Sequence, residues 1–185
     1  MRITKNLKPD QENIIRFVNV LGGGSIVLKT NKRAHPGFFI SAHAFIREYI
    51  EDGFFRKEEV LIKVLQDAGF PDESGPINAI RTEQKKSHDS SEVLIHAAQA
   101  WQAGDEIGRA EVGWAVSEFN SVIRQHLERL KNLIIPLIDQ TISIEDENNI
   151  SDEMSKAVSE GSLKDGADKY IKLIAELEEE LSDWK

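Results

Sequence analysis

Residues 52 to 71 read DGFFRKEEVLIKVLQDAGFP, and the fold turns on how this stretch is read. Apolar residues recur three and four apart, and Gly69 and Pro71 supply a stop, so the stretch is an amphipathic helix. Phe55, Glu59, Ile62 and Gln66 fall on one stripe. Glu59 then stands one turn from Phe55 on a face that is otherwise apolar. A buried carboxylate without a partner is costly, so Glu59 must lie at the rim or be paired inside. Lys57 and Glu58, beside it, are read as facing solvent.

Working outward, the same helix reaches back to Phe38, with Phe38, Phe39, Ala42, Phe45, Ile46 and Tyr49 inward and an end at Ala68. Before it, TNKRAHPG is a loop with a short basic patch, Lys29 to Arg33. A first helix starts at Pro9, where proline suits the first turn, and buries Ile14, Phe17, Val18 and Leu21. Gly22-Gly23-Gly24 is a weak spot in it, tolerated because small residues let another helix approach closely, and the helix runs on to about Lys29. Beyond the central stretch, PDESGP is a loop. A third helix spans Pro76 to Ala103 and Gly104-Asp105 breaks it. Residues 106 to 140 form a fourth, with Trp114, Phe119, Ile123, Leu127, Leu130, Ile134 and Leu137 on its apolar side. Pro136 should kink it or loosen its last turn. SIEDENNISDEM is acidic and suits a short helix. The tail from Lys164 to Trp184 places Tyr170, Leu173, Ile174, Leu177, Leu181 and Trp184 at helical spacing. No strand pattern occurs. The expected fold is all-α: an up-down-up-down four-helix bundle over residues 1–145, with a helical extension over 146–185 packed on the bundle or at a homodimer interface.

Composition narrows the function classes. The chain has 185 residues, 40% hydrophobic and 30% charged, with a formal net charge of −9. That acidity opposes nonspecific binding to nucleic acid or anionic membranes, which require a basic surface. The absence of cysteine excludes disulfides, thiolate metal sites and cysteine nucleophiles. No apolar run has the length of a membrane span and MRITKNLKPDQ lacks the core of a signal peptide, so a cytoplasmic protein is expected.

Three polar residues fall where a bundle points inward: Glu59 on the second helix, His88 on the third, one turn after Gln84, and His126 on the fourth. Two imidazoles and a carboxylate from three helices are ligands that a first-row divalent metal accepts. The plainer alternative leaves His88 exposed beside Lys85, Lys86 and Asp89, and makes His126 a hydrogen-bonded core histidine. His43 and His96 are read as structural and His35 as solvated. The glycine run lacks a phosphate-loop pattern.

RKEEVLI…GFP (56–71), GPI…TEQ (75–84) and RQHLERLKNLIIPLID (124–139) resemble the second-, third- and fourth-helix motifs of the hemerythrin-like family, the HHE cation-binding domain, across about residues 8–140. The resemblance implies a four-helix bundle with up to seven ligands for two irons. Mapped on this chain, those positions are Asn13, Phe55, Glu59, Gln84, His88, His126 and Leu130. Four have lost their usual ligand: Asn13, Phe55, Gln84 and Leu130. The losses gather on one iron, whose half of the site is expected to be packed with apolar side chains. A di-iron centre is then not expected. At most one metal (iron, or manganese or zinc) remains, held by Glu59, His88 and His126 with the Gln84 amide as a weak ligand, in a metal- or oxygen-sensing or storage role. The competing expectation is a metal-free scaffold or protein-interaction module. An oxygen-activating enzyme ranks third, since no cosubstrate motif is visible.

Overall fold

The computed structural model describes residues 2–30 and 32–184. Among them the chain is entirely helical between its turns, in six continuous rods. The first is α1 (Arg2–Leu28). The second joins α2 (Pro36–Phe45), a π-helical stretch π1 (Ile46–Phe54) and α3 (Phe55–Asp67). The third is α4 (Gly75–Gln102), and the fourth joins α5 (Glu106–Arg129), π2 (Leu130–Ile134) and α6 (Ile135–Thr141). Last come α7 (Ile144–Ser159) and α8 (Asp168–Asp183). Of the basic patch expected at residues 29–33, position 31 lies outside the described residues.

Helix boundaries depart from expectation where proline is involved. α1 begins seven residues before Pro9 and carries it inside. A proline within a helix costs about 3 kcal/mol. Burying Ile3 and Leu7 completely returns about 1.5–3 kcal/mol each, so packing outweighs the lost hydrogen bond. Pro136 occupies the first turn of α6, directly after π2. The wider i→i+5 turn lets the rod pass a residue that has no N–H to donate.

The rods meet their neighbours along their lengths. α4 and α5 are joined by residues 103–105 and form a helical hairpin, closed tightly where a Cβ on Gly108 would come within 2.6 Å of the Ala97 carbonyl. α5 also lies against α1, where Asn120 donates to the Val18 carbonyl at 3.1 Å. α2 lies against α4, and Glu51 of π1 reaches His88 and Ser91 of α4. Between α1 and the second rod, Phe17 stacks on Phe45 at 4.2 Å and Phe45 on Tyr49 at 4.6 Å.

α7 starts with a capping box, Ser143 with Asp146, and buries Ile150 and Met154 against α3 and α1. α8 lies over α1 and α2, burying Tyr170, Ile174, Leu177, Leu181 and Trp184; its apolar face is filled within one chain. Arg16 clamps Glu178 with two bonds of 2.6 and 2.8 Å. The glycine run of α1 is a packing seam. A Cβ would meet Asn120 of α5 at Gly22, Leu181 of α8 at 2.6 Å from Gly23, and Phe38 of α2 at 2.7 Å from Gly24. Trp114 departs from its expected place on the apolar side, being 74% exposed.

Candidate functional site

The interior is polar at one level, and α3 begins it. Its buried stripe is Glu58, Leu61, Ile62 and Leu65, continuing Phe54 of π1. The sequence runs in doublets, Phe54-Phe55, Glu58-Glu59, Leu61-Ile62 and Leu65-Gln66, and at three of these four the first member is buried while the second is only partly buried or exposed. Glu58, expected in solvent, is therefore fully buried. Glu59 is on the outer face with its side chain 51% exposed, forked onto Arg81 at 3.0 and 3.3 Å.

What meets Glu58 is His126. The ring Nε2 lies 2.5 Å from Glu58 Oε1 and Nδ1 lies 2.9 Å from Glu83 Oε2. Gln84 donates its amide to the other Glu58 oxygen at 2.7 Å, and Arg129 Nε donates to the other Glu83 oxygen at 2.9 Å. Phe55 closes the ring edge-on at 5.6 Å. Burial opposes a charge on His126, but the carboxylates of Glu58 and Glu83 outweigh it and push the imidazole up to about 10. At neutral pH the ring is an imidazolium with both N–H groups donating. Burial likewise opposes the charge on Glu83, and the bonds from His126 and Arg129 overcome it, holding Glu83 below the usual glutamate range.

A second polar cluster lies between α1 and the second rod. Tyr49 donates to Asp10 at 2.7 Å, Asn13 donates to Tyr49 at 3.0 Å, and Lys57 binds the other Asp10 oxygen at 2.6 Å. Burial, and then the nearby Asp10 charge, drive the Tyr49 phenol upward, so it stays a neutral donor. The half of the interior expected to be apolar thus carries an ion pair. Across both clusters, the carboxylates of Asp10, Glu58 and Glu83 face the cations of Lys57, His126 and Arg129. Three charges meet three.

These donors do not fit a metal. An imidazole ligates through an unprotonated nitrogen, and both nitrogens of His126 are committed to carboxylates on opposite sides of the ring. The expected ligands do not converge either. His88 is on the outer surface with its side chain 45% exposed, 3.0 Å from Glu51; Glu59 is on Arg81; Gln84 presents its amide nitrogen to Glu58. Of the set Glu59, Gln84, His88 and His126, only Gln84 and His126 meet at a common residue, Glu58. Among the described residues no group of three or more acids and histidines is placed to hold a metal ion. His43 is half-buried with Glu92 3.9 Å away, and burial lowers its pKa. His35 and His96 are exposed.

Glu58 and Glu83 were missed, and both left a trace in the sequence. The last doublet, Leu65-Gln66, marks its first member as the apolar one, and stepping back by turns from Leu65 reaches Leu61, Glu58 and Phe54. On α4, Leu94 and Ile80 are firm core residues; turns counted from them land on Ser91, Ser87 and Glu83, bypassing His88. Comparison of the chain with protein-family models, with curated proteins and with solved structures finds no match.

Proposed function

We propose that this chain is a metal-independent helical scaffold, a hemerythrin-like up-down-up-down bundle that presents its surface to a protein partner and holds its interior together with its own cations. The observation that carries this reading is His126, bonded at both nitrogens between Glu58 and Glu83. The imidazolium supplies, between two carboxylates, the positive charge that the family would draw from a metal ion. The paired contacts support the bundle: Asp10 with Tyr49, Glu51 with His88, Glu83 with His126 and Asn120 with Val18 join each of the first four rods to neighbours running the opposite way. The surface offers a place for a partner. Ile107 and Trp114, two turns apart on α5, are 69% and 74% exposed, and Trp114 borders a groove floored by Leu28, Ala110 and Gly113.

Metal content decides between this reading and the mononuclear one. Protein purified without an affinity tag is analysed by mass spectrometry before and after iron addition. Far less than one metal per chain is expected, with helicity intact. About one metal per chain, lost on His126→Ala, would overturn the scaffold reading and restore a half-site.

A further inference from the structure

Glu83 has an outer side. Between α4 and α5 a cavity of about 310 Å3 opens outward from it, with Glu83 and Arg129 at its inner end and Thr82, Lys86, Glu118 and Gln125 among its walls. The volume falls at the small end of the range for ligand sites, and the lining offers several convergent polar groups. The inner end is built rather than incidental. Glu83 is buried, and its orientation is fixed by His126 on one oxygen and Arg129 on the other.

Two cations in this groove have donors to spare. Arg129 uses Nε on Glu83, which leaves the four N–H groups of its terminal nitrogens. The Lys86 ammonium makes no ion pair among the described residues. A planar guanidinium edge and an ammonium lining one groove suit a carboxylate, which can accept two parallel N–H bonds from the fork and a further one from the lysine. The four side-chain charges of the lining balance, Glu83 and Glu118 against Lys86 and Arg129. A monocarboxylate adds a single negative charge to them, whereas a dianion such as phosphate adds two beside the same two carboxylates.

We infer that this groove is a binding site for a small monocarboxylate, held by Arg129 and Lys86 with the Thr82 hydroxyl and Gln125 amide beside it. The inference does not rest on the scaffold reading, since it needs only the outward-facing side of the groove. It shares Glu83 and Arg129 with the core network. A ligand drawing Arg129 outward leaves Glu83 leaning more heavily on His126, so occupancy is reported at the imidazole.

Propionate titrated into the intact chain, followed by amide and histidine-ring NMR, tests this. The expected result is a saturable shift confined to groove residues and the His126 ring, with affinity lowered about tenfold or more by Lys86→Gln and by Arg129→Gln, and unchanged by Arg81→Gln. Arg129→Gln also loosens Glu83 and can unfold the chain; Lys86→Gln removes an exposed side chain that makes no ion pair among the described residues and then decides alone. Absence of a saturable shift, or wild-type affinity in the Lys86 variant, would overturn the site. Tighter binding of inorganic phosphate than of propionate would overturn its assignment to a monocarboxylate.

Discussion

The two faces of α3 carry the same acid in opposite surroundings. On the inner face, Glu58 is 0% exposed and bonded to His126 and Gln84. On the outer face, its neighbour Glu59 is half exposed and forked onto Arg81. A step of one residue turns a helix by roughly 100°, and that rotation changes what the carboxylate is worth. An exposed pair gains little because water solvates both ions well and ordering the side chains costs entropy. In the interior, removing one partner strands the other without water, so the loss is large even where the net gain from the pair is small. The interior contacts join α3, α4 and α5 through His126, whereas the surface pair joins α3 to α4 alone.

The sharpest way to break the contrast is His126→Ala. It leaves Glu58 and Glu83 facing each other buried and without their shared cation, and should cost about 3–5 kcal/mol in urea unfolding. A cost under about 1 kcal/mol would mean the interior network is no more valuable than a surface pair. The pH dependence comes next. His126 has its pKa raised to about 10 from 6.5, so its contribution is complete below about pH 6.5 and is lost as pH rises through about 10, with a slope of up to about 1.4 kcal/mol per pH unit in between. Glu83 is shifted down, so its contribution is present above the ordinary carboxylate range and fades on acidification. Unfolding midpoints should therefore fall on both sides of mildly acidic pH, and His126→Gln should flatten the alkaline side. Parallel curves for the variant and the parent from pH 7 to 9 would contradict the charged imidazole. The smallest effect is expected from Glu59→Ala, below about 1 kcal/mol and diminishing with salt; a loss comparable to that of His126→Ala would erase the distinction between the faces.

Much of the fold was readable because helical periodicity, turn residues and caps act locally. Gly69, Pro71, Gly104 and Asp105 stop or start helices within a residue or two of the expected places. The site was less readable because the face of a helix is a global choice. Doublets such as Phe54-Phe55 and Glu58-Glu59 satisfy two stripes equally, and the wider turns of π1 break the phase carried forward from Phe45 and Tyr49. A one-residue offset on α3 exchanges Glu58 for Glu59, and a similar offset on α4 exchanges the Ser91, Ser87 and Glu83 stripe for the one that carries Gln84 and His88. His126 escaped this because Ile123, Leu127 and Leu130 flank it in one apolar frame. Pro9 shows the reverse: its local signal was plain, and burial of Ile3 and Leu7 overrode it.

The glycine seam bears on how the chain is made. Gly23 of α1 receives Leu181 of α8, and Phe38 and Phe39 of α2 stand against Trp184. These partners are separated by well over a hundred residues, so synthesis delivers α1 and α2 long before their cover. Until residues 168–184 have left the ribosome, the seam at Gly23 and the faces of Phe38 and Phe39 lack this cover and are open to water and to chaperones. α8 is thus the element whose arrival covers this part of α1 and α2.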